Sequence, residues 1–256
     1  MLRAGLVSVV FRTMAASDVV KVAAQGGAEG IEWSSENHVP VGKKKLAGQV
    51  GQLTRDAGIE VAAYGSYHRL GCERTSPTKF SDILDTAVAL GAPMIRVWAG
   101  NTGSRTAREY VWREVTEETQ RAADLAKTAN VSIAFEFQAN TLNDTPESSL
   151  RLLAAIARDN VYTYWQPDGR LMPDEQMEGL QQLYDRLSNI HVFHWQKGRR
   201  MPLSEGEKDW RRYFHHLARS RRSHWALIEY VQDDLPAKYV KDAETLRLII
   251  AGATST

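Results

Sequence analysis

Apolar, β-rich runs recur along the whole chain, and stretches with helical spacing separate them. LRAGLVSVVF begins at Leu2, GIEWSS at Gly30, EVAAYGS at Glu60 and MIRVWAG at Met94. SIAFEFQAN follows at Ser132, VYTYWQP at Val161, IHVFHWQ at Ile190 and WALIEY at Trp225. The starts lie about 30 residues apart, the length of one strand–helix unit. The runs are nearly continuously apolar, as expected of strands buried on both faces.

Helix signals fill the gaps. Ser17 is placed to cap a first helix that Gly26 and Gly27 end. In SPTKFSDILDTAVALGAP, Ser76 reads as an N-cap, Pro77 lies in the first turn, Gly91 follows the end and Pro93 lies beyond it. Thr145, Pro146 and Asn160 repeat that pattern around a face of Leu150, Leu153, Ala154 and Ala157. A later helix puts Trp210, Phe214 and Leu217 on one face and leaves His215 and His216 on a solvated flank. Lys43 to Lys45 open another helix as a solvated face. Eight strand–helix units predict an α/β chain closed as a (β/α)8 barrel, one domain over residues 1–256. A doubly wound open sheet is the alternative, because periodicity alone does not show closure. SVVFRTMAASD, after the first strand, holds no glycine, which argues against a dinucleotide-binding sheet.

Composition narrows the function classes. A net charge of +1 gives no electrostatic drive toward nucleic acid or a membrane surface. Cys72 is the only cysteine, which excludes an intrachain disulfide and a thiolate zinc site. The first residues enter a strand directly, with no signal-peptide pattern. No apolar run reaches the roughly 20 residues that span a bilayer. A cytoplasmic protein is the expectation.

In a barrel, chemistry sits at the C-terminal ends of the strands. The polar residues there are Glu32, His68 and Arg69, Arg96 and Asn101, Glu136, Gln166, His194 and Glu229. The last four come from successive strands. Two carboxylates, an imidazole and an amide oxygen suit a borderline-hard divalent cation such as Mn²⁺, Mg²⁺, Co²⁺ or Zn²⁺. Glu136 stands between two phenylalanines and Glu229 follows an apolar strand. A carboxylate in such a frame needs a partner, and a salt bridge to Arg96 is the plain alternative to a metal.

GLVSVVFR, GIEW, IAFEF, HVFHW and ALIEY together resemble the xylose isomerase-like TIM barrels of the sugar phosphate isomerase/epimerase superfamily, over nearly the whole chain. The resemblance implies one divalent metal, often manganese, held by Glu, Asp, His and Glu from the fifth to eighth strands. It also implies that the two glutamates serve as acid and base on a small carbohydrate substrate. Glu136, His194 and Glu229 match these positions, and Gln166 stands where the aspartate belongs. Gln166 offers an amide oxygen without charge, and Asp168, two residues on, is a poor substitute. Gly169 replaces the second histidine frequent in the family. The superfamily's DNA-repair endonucleases need more histidines than this chain supplies.

Such a site stabilises an enediolate, with Glu136 and Glu229 moving the proton. Epimerisation, aldose–ketose isomerisation and β-elimination by a lyase or dehydratase all share that requirement. The substrates in view are a sugar, a keto-inositol or a 3-keto-glycoside. A sugar-binding barrel that lost its metal with the aspartate is the non-catalytic reading. His68, Arg69, Glu32, Trp33, Trp98 and Arg200 are candidate substrate contacts, Lys197 an additional one, and His191 reads as structural. Pairing of two chains through the aromatic-rich helix from Trp210 is a further expectation.

Overall fold

The computed structural model describes residues 1–220 and 222–254. The eight predicted strands all form. They are β1 (Leu2–Val7), β2 (Gly30–Ser34), β3 (Glu60–Leu70), β4 (Met94–Ala99), β5 (Ser132–Phe135), β6 (Val161–Trp165), β7 (Leu187–Val192) and β10 (His224–Ile228). They pair in parallel and close into a barrel in the order β1-β10-β7-β6-β5-β4-β3-β2. Closure is made by Leu2 to Leu6 against His224 to Ile228. The open-sheet alternative is thereby removed. Two short strands between β7 and β10, β8 (His194–Gln196) and β9 (Arg199–Met201), form an antiparallel hairpin outside the barrel. Lys197 and Gly198 make its turn, both with positive φ, as a two-residue hairpin turn requires.

The helices are α1 (Ala16–Gln25), α2 (Lys44–Asp56), α3 (Phe80–Leu90), α4 (Glu109–Thr128), α5 (Pro146–Ile156), α6 (Pro173–Leu183), α7 (Glu207–Leu217) and α8 (Pro236–Thr254). Thr145 caps α5 as expected, accepting from the Ser148 N–H. Gly91 ends α3 in the left-handed conformation. Two helix starts differ from expectation: α1 begins after Ala15, and α3 begins after Lys79 rather than Ser76. The Ser76 hydroxyl instead bonds the backbone of Thr78, holding a turn before the helix. Among the described residues no helix is long and apolar enough to cross a membrane.

Two apolar regions result. The larger lies between the barrel and its helices and includes Ile31, Trp33, Ile95, Ile133, Ile190 and Val192. The smaller, inside the barrel, is Val7, Ala62 and Leu227. Strand side chains alternate in direction, so odd and even positions serve different layers. In β2, Ile31 and Trp33 pack outward and Glu32 faces the lumen. In β7, Ile190 and Val192 pack outward while Asn189 and His191 face in. Gly5 lets β1 and β2 close on the lumen: a Cβ there would meet the Gly30 carbonyl oxygen and the Leu227 side chain at 2.6 Å each.

Candidate functional site

Contacts between non-adjacent strands pass through the lumen, and a polar network does so here. The Arg96 guanidinium of β4 donates through Nε to Glu32 Oε1 of β2 at 2.6 Å. Its Nη1 pairs with Glu136, directly after β5. The Tyr164 hydroxyl of β6 donates to Glu32 Oε2 at 2.9 Å and accepts from Asn189 Nδ2 of β7 at 2.9 Å. Gly65 leaves room for this pairing, since a Cβ would come within 2.6 Å of Arg96 Nη2 and 3.0 Å of Glu32 Oε1. Burial opposes the charge on Glu32, but Arg96 and His191 outweigh it and hold the carboxyl down to about 2. Burial likewise opposes the Arg96 cation, and Glu32 keeps it charged. The Tyr164 phenol is pushed well up by burial and by the Glu32 charge, so it stays a donor.

His191 sits at the centre. Its Nδ1 lies 3.1 Å from Gln166 Oε1 and 3.4 Å from Glu229 Oε2. Its Nε2 lies 3.6 Å from Glu32 Oε2. Burial disfavours the charged imidazole, but the Glu229 and Glu32 carboxylates overcome it and raise His191 to about 9. The field at this point therefore favours a positive charge. Glu136 is fixed a second time by the Trp98 indole N–H, which donates to Oε2 at 2.6 Å. Arg69 lies over the Trp98 ring at 4.1 Å. Tyr67 covers Arg96 at 4.7 Å from a backbone with φ of 56°, where the β3–β4 register shifts.

One ligand atom each from Glu136, His191 and Glu229 lies within 4.8 Å of the others, and all three residues are buried. Glu229 Oε2, on the side of the cluster that His191 Nδ1 faces, has no hydrogen-bond partner among the described residues despite its burial. Buried polar atoms of this kind are costly unless something bonds them. Two carboxylates, an imidazole and a nearby amide oxygen match the donor set of a divalent ion. A histidine whose second nitrogen faces a carboxylate matches the usual outer support of such a ligand. The residues present fit a metal ion.

The structure brings Glu32, Glu136, Gln166 and Glu229 together as the strand ends suggested. It does not bring His194 to them. His194 and His191 are three residues apart, an odd step that reverses direction on a strand. His194 instead opens the β8/β9 hairpin, half-buried beside Gly206, whose Cβ would come within 2.6 Å of the ring. His191, read as structural from sequence, is the imidazole that meets both glutamates. The signal for it was Asn189 and His191 two positions apart, polar positions alternating with outward Ile190 and Val192.

The suggested substrate contacts divide. Trp98 and Arg69 stand at the mouth, and Arg69 donates to the Gly100 carbonyl at 2.9 Å. Glu32 lies beneath the mouth as the anchor of Arg96. Trp33 faces outward and donates to Thr54 of α2 at 3.1 Å. His68 faces α3 and α4, 3.7 Å from Glu118 and stacked near Phe80. Trp33 follows the alternation along β2, and His68 follows the irregularity in β3 at Tyr67. Arg200 of the hairpin pairs with Asp234 and lies over the Tyr230 ring at 4.8 Å. Asp168 pairs with Arg170. Arg96, named as the alternative partner for Glu136, does pair with it, and it also holds Glu32.

The sequence model of the family described as Xylose isomerase-like TIM barrel matches residues 20–249. The chain belongs to that family. No curated protein matches the sequence. Among solved structures, the probable 3-DHS dehydratase AsbF of Bacillus anthracis superposes with a TM-score of 0.79 at 18% identity, covering 96% of this chain and 99% of that one. The 3-keto-D-glucoside 4-epimerase YcjR of E. coli gives 0.76 at 15% identity, covering 97% and 100%. A xylose isomerase-like TIM barrel protein of Mycobacterium smegmatis, in complex with magnesium, gives 0.72 at 13% identity, covering 99% and 97%.

Proposed function

We propose that this chain is a metal-assisted epimerase or isomerase of keto-sugars, with Glu136 and Glu229 as its acid–base pair. The convergence of Glu136, His191 and Glu229 within 4.8 Å at the barrel mouth carries this reading. These three residues would hold the ion, with the Gln166 amide oxygen as a fourth donor. Manganese suits them best, with magnesium, cobalt or zinc as substitutes. A divalent ion held there supplies Lewis-acid polarisation of a carbonyl and its neighbouring hydroxyl.

The chain's own groups do the rest. Glu229 reaches the lumen from β10 and Glu136 from β5, so the two carboxylates approach a bound sugar from different sides of the barrel. One takes the proton from the carbon beside the carbonyl, leaving an enediolate, and the other returns it. Return to the opposite face inverts that carbon. Return to the adjacent carbon exchanges aldose and ketose. The Trp98 N–H and Arg96 hold the Glu136 carboxylate in one orientation. The aromatic and guanidinium surface of Trp98 and Arg69 faces the sugar at the mouth.

A lyase is the second reading, favoured by the likeness to a probable dehydratase at a TM-score of 0.79. Loss of a hydroxyl from the β-carbon of the same enediolate gives dehydration. The likeness to a 3-keto-D-glucoside epimerase supports a keto-sugar substrate for either reading.

The test is metal content by mass spectrometry on protein purified without chelator, beside Glu136→Ala/Glu229→Ala. About one equivalent of divalent metal in the native protein, lost in the variant, is expected. Incubation with D-fructose, D-psicose and 3-keto-glucosides then separates the readings, because an epimerase conserves mass and a dehydratase loses water. No retained metal after soaking in excess Mn²⁺ overturns the proposal.

A further inference from the structure

A cavity of about 560 Å³ lies beside the barrel mouth, between the β8/β9 hairpin, the loop after β6 and α7. That volume is in the range of pockets that enclose drug-sized ligands, well beyond the needs of a single monosaccharide already seated at Glu136 and Glu229. Its walls are largely aromatic: Phe193, Trp195, Trp210, Tyr213 and Tyr230 line it. Phe193, Trp195 and Tyr230 meet edge to face, with centroids 5.5–6.4 Å apart. Trp195 keeps 40% of its surface exposed. Polar side chains join them: Gln176, His194, Lys197 and Asp209.

Residues of the cavity wall follow residues of the candidate site closely in the chain. Gln166, His191 and Glu229 each supply a donor to the site. Pro167, Phe193 and Tyr230, one or two residues later in the segments that follow β6, β7 and β10, supply part of the cavity wall. The wall is also braced. Arg200 pairs with Asp234 and lies over Trp195 and Tyr230, tying the hairpin to the loop after β10.

We infer that the cavity is a subsite for an apolar aromatic aglycone, so that the substrate is a glycoside whose sugar ring occupies the Glu136–His191–Glu229 site. This rests on the proposed keto-sugar chemistry and names its substrate class. A flat apolar ring fits edge-to-face aromatic walls.

Calorimetric titration of manganese-loaded protein with 4-nitrophenyl β-D-glucoside, methyl β-D-glucoside and cellobiose tests it. The aryl glucoside should bind on the order of tenfold more tightly than the methyl glucoside. Trp195→Ala should erase that preference while leaving methyl glucoside affinity and metal content unchanged. Equal affinities, a preference for cellobiose, an aryl preference that survives in Trp195→Ala, or no binding of any probe overturns the inference. Metal content and turnover of free keto-sugars in the same preparation report on the proposed chemistry separately. A protein that epimerises free ketoses without an aryl preference refutes only the subsite.

Discussion

Glu32 Oε2 stands 3.6 Å from His191 Nε2, on the side of the imidazole away from Glu229. The carboxylate faces the ring from behind, while Nδ1 faces Glu229 and Gln166. Glu32 also anchors Arg96 and accepts from Tyr164. Glu32→Gln keeps the shape but weakens all three contacts. Supporting groups of this kind contribute about 10–100-fold to metal affinity. Manganese titration of Glu32→Gln should show a loss of that size with the fold retained by circular dichroism. Unchanged affinity would remove Glu32 from any supporting role.

The two histidines of HVFHW should separate cleanly. His191→Ala removes the imidazole between the glutamates and should abolish metal retention. His194→Ala alters only the hairpin and should retain about the native metal content. Plasma mass spectrometry on both variants, purified side by side, checks this. The reverse outcome would return the ligand role to His194.

Asp242 of α8 gives a pH prediction away from the site. Its Oδ1 accepts from the Leu203 N–H at 2.9 Å. Burial raises its carboxyl to about 6 from an ordinary 3.8, although the Leu203 N–H and Lys238 pull it down. A raised carboxyl favours the protonated folded state. The stability it contributes is full below 3.8 and is lost as pH rises through about 6. Asp242→Asn keeps the acceptor and cannot ionise. Its melting temperature should exceed the native one at pH 8 and not at pH 4. A difference that is the same at both pH values would contradict the assignment.

Gly5→Ala tests the lumen packing. The added Cβ meets the Gly30 carbonyl oxygen at 2.6 Å, and backbone cannot swing aside as a side-chain end can. Overpacking of this kind costs about 1–3 kcal/mol. For a domain of this size that corresponds to about 2–4 °C in Tm per kcal/mol. Thermal melting should show the fall with metal content preserved. A melting temperature equal to the native one would mean that β1 and β2 separate freely.

The barrel was legible because each strand is an uninterrupted apolar run and each gap has the length of a helix. Closure was not legible, since the partner of β1 is the most distant strand in sequence. Glu136 and Glu229 were readable because a carboxylate following an apolar strand has few uses. His191 rather than His194 meets the glutamates for a local reason: where β7 ends decides which histidine is still in the barrel, and the hairpin after Val192 carries His194 away. Arg69 and Trp98 reached the mouth, while His68 and Trp33 faced the helices. A bulge in β3 and strict alternation in β2 made those decisions, and strand-end position alone does not encode them.

The pairing of β1 with β10 also bears on the order of events during synthesis. Chains emerge from the ribosome N-terminus first. Glu32, Arg96 and Glu136 can associate while the rest is still being made. Glu229 directly follows β10, and the neighbour of β10 across the seam is β1, made well before it. The binding centre therefore cannot be completed on a partial product. A chain stalled before β10 would present an open β1 edge and an unfinished donor set, and an ion of the kind proposed would find all three donors only once β10 has been made.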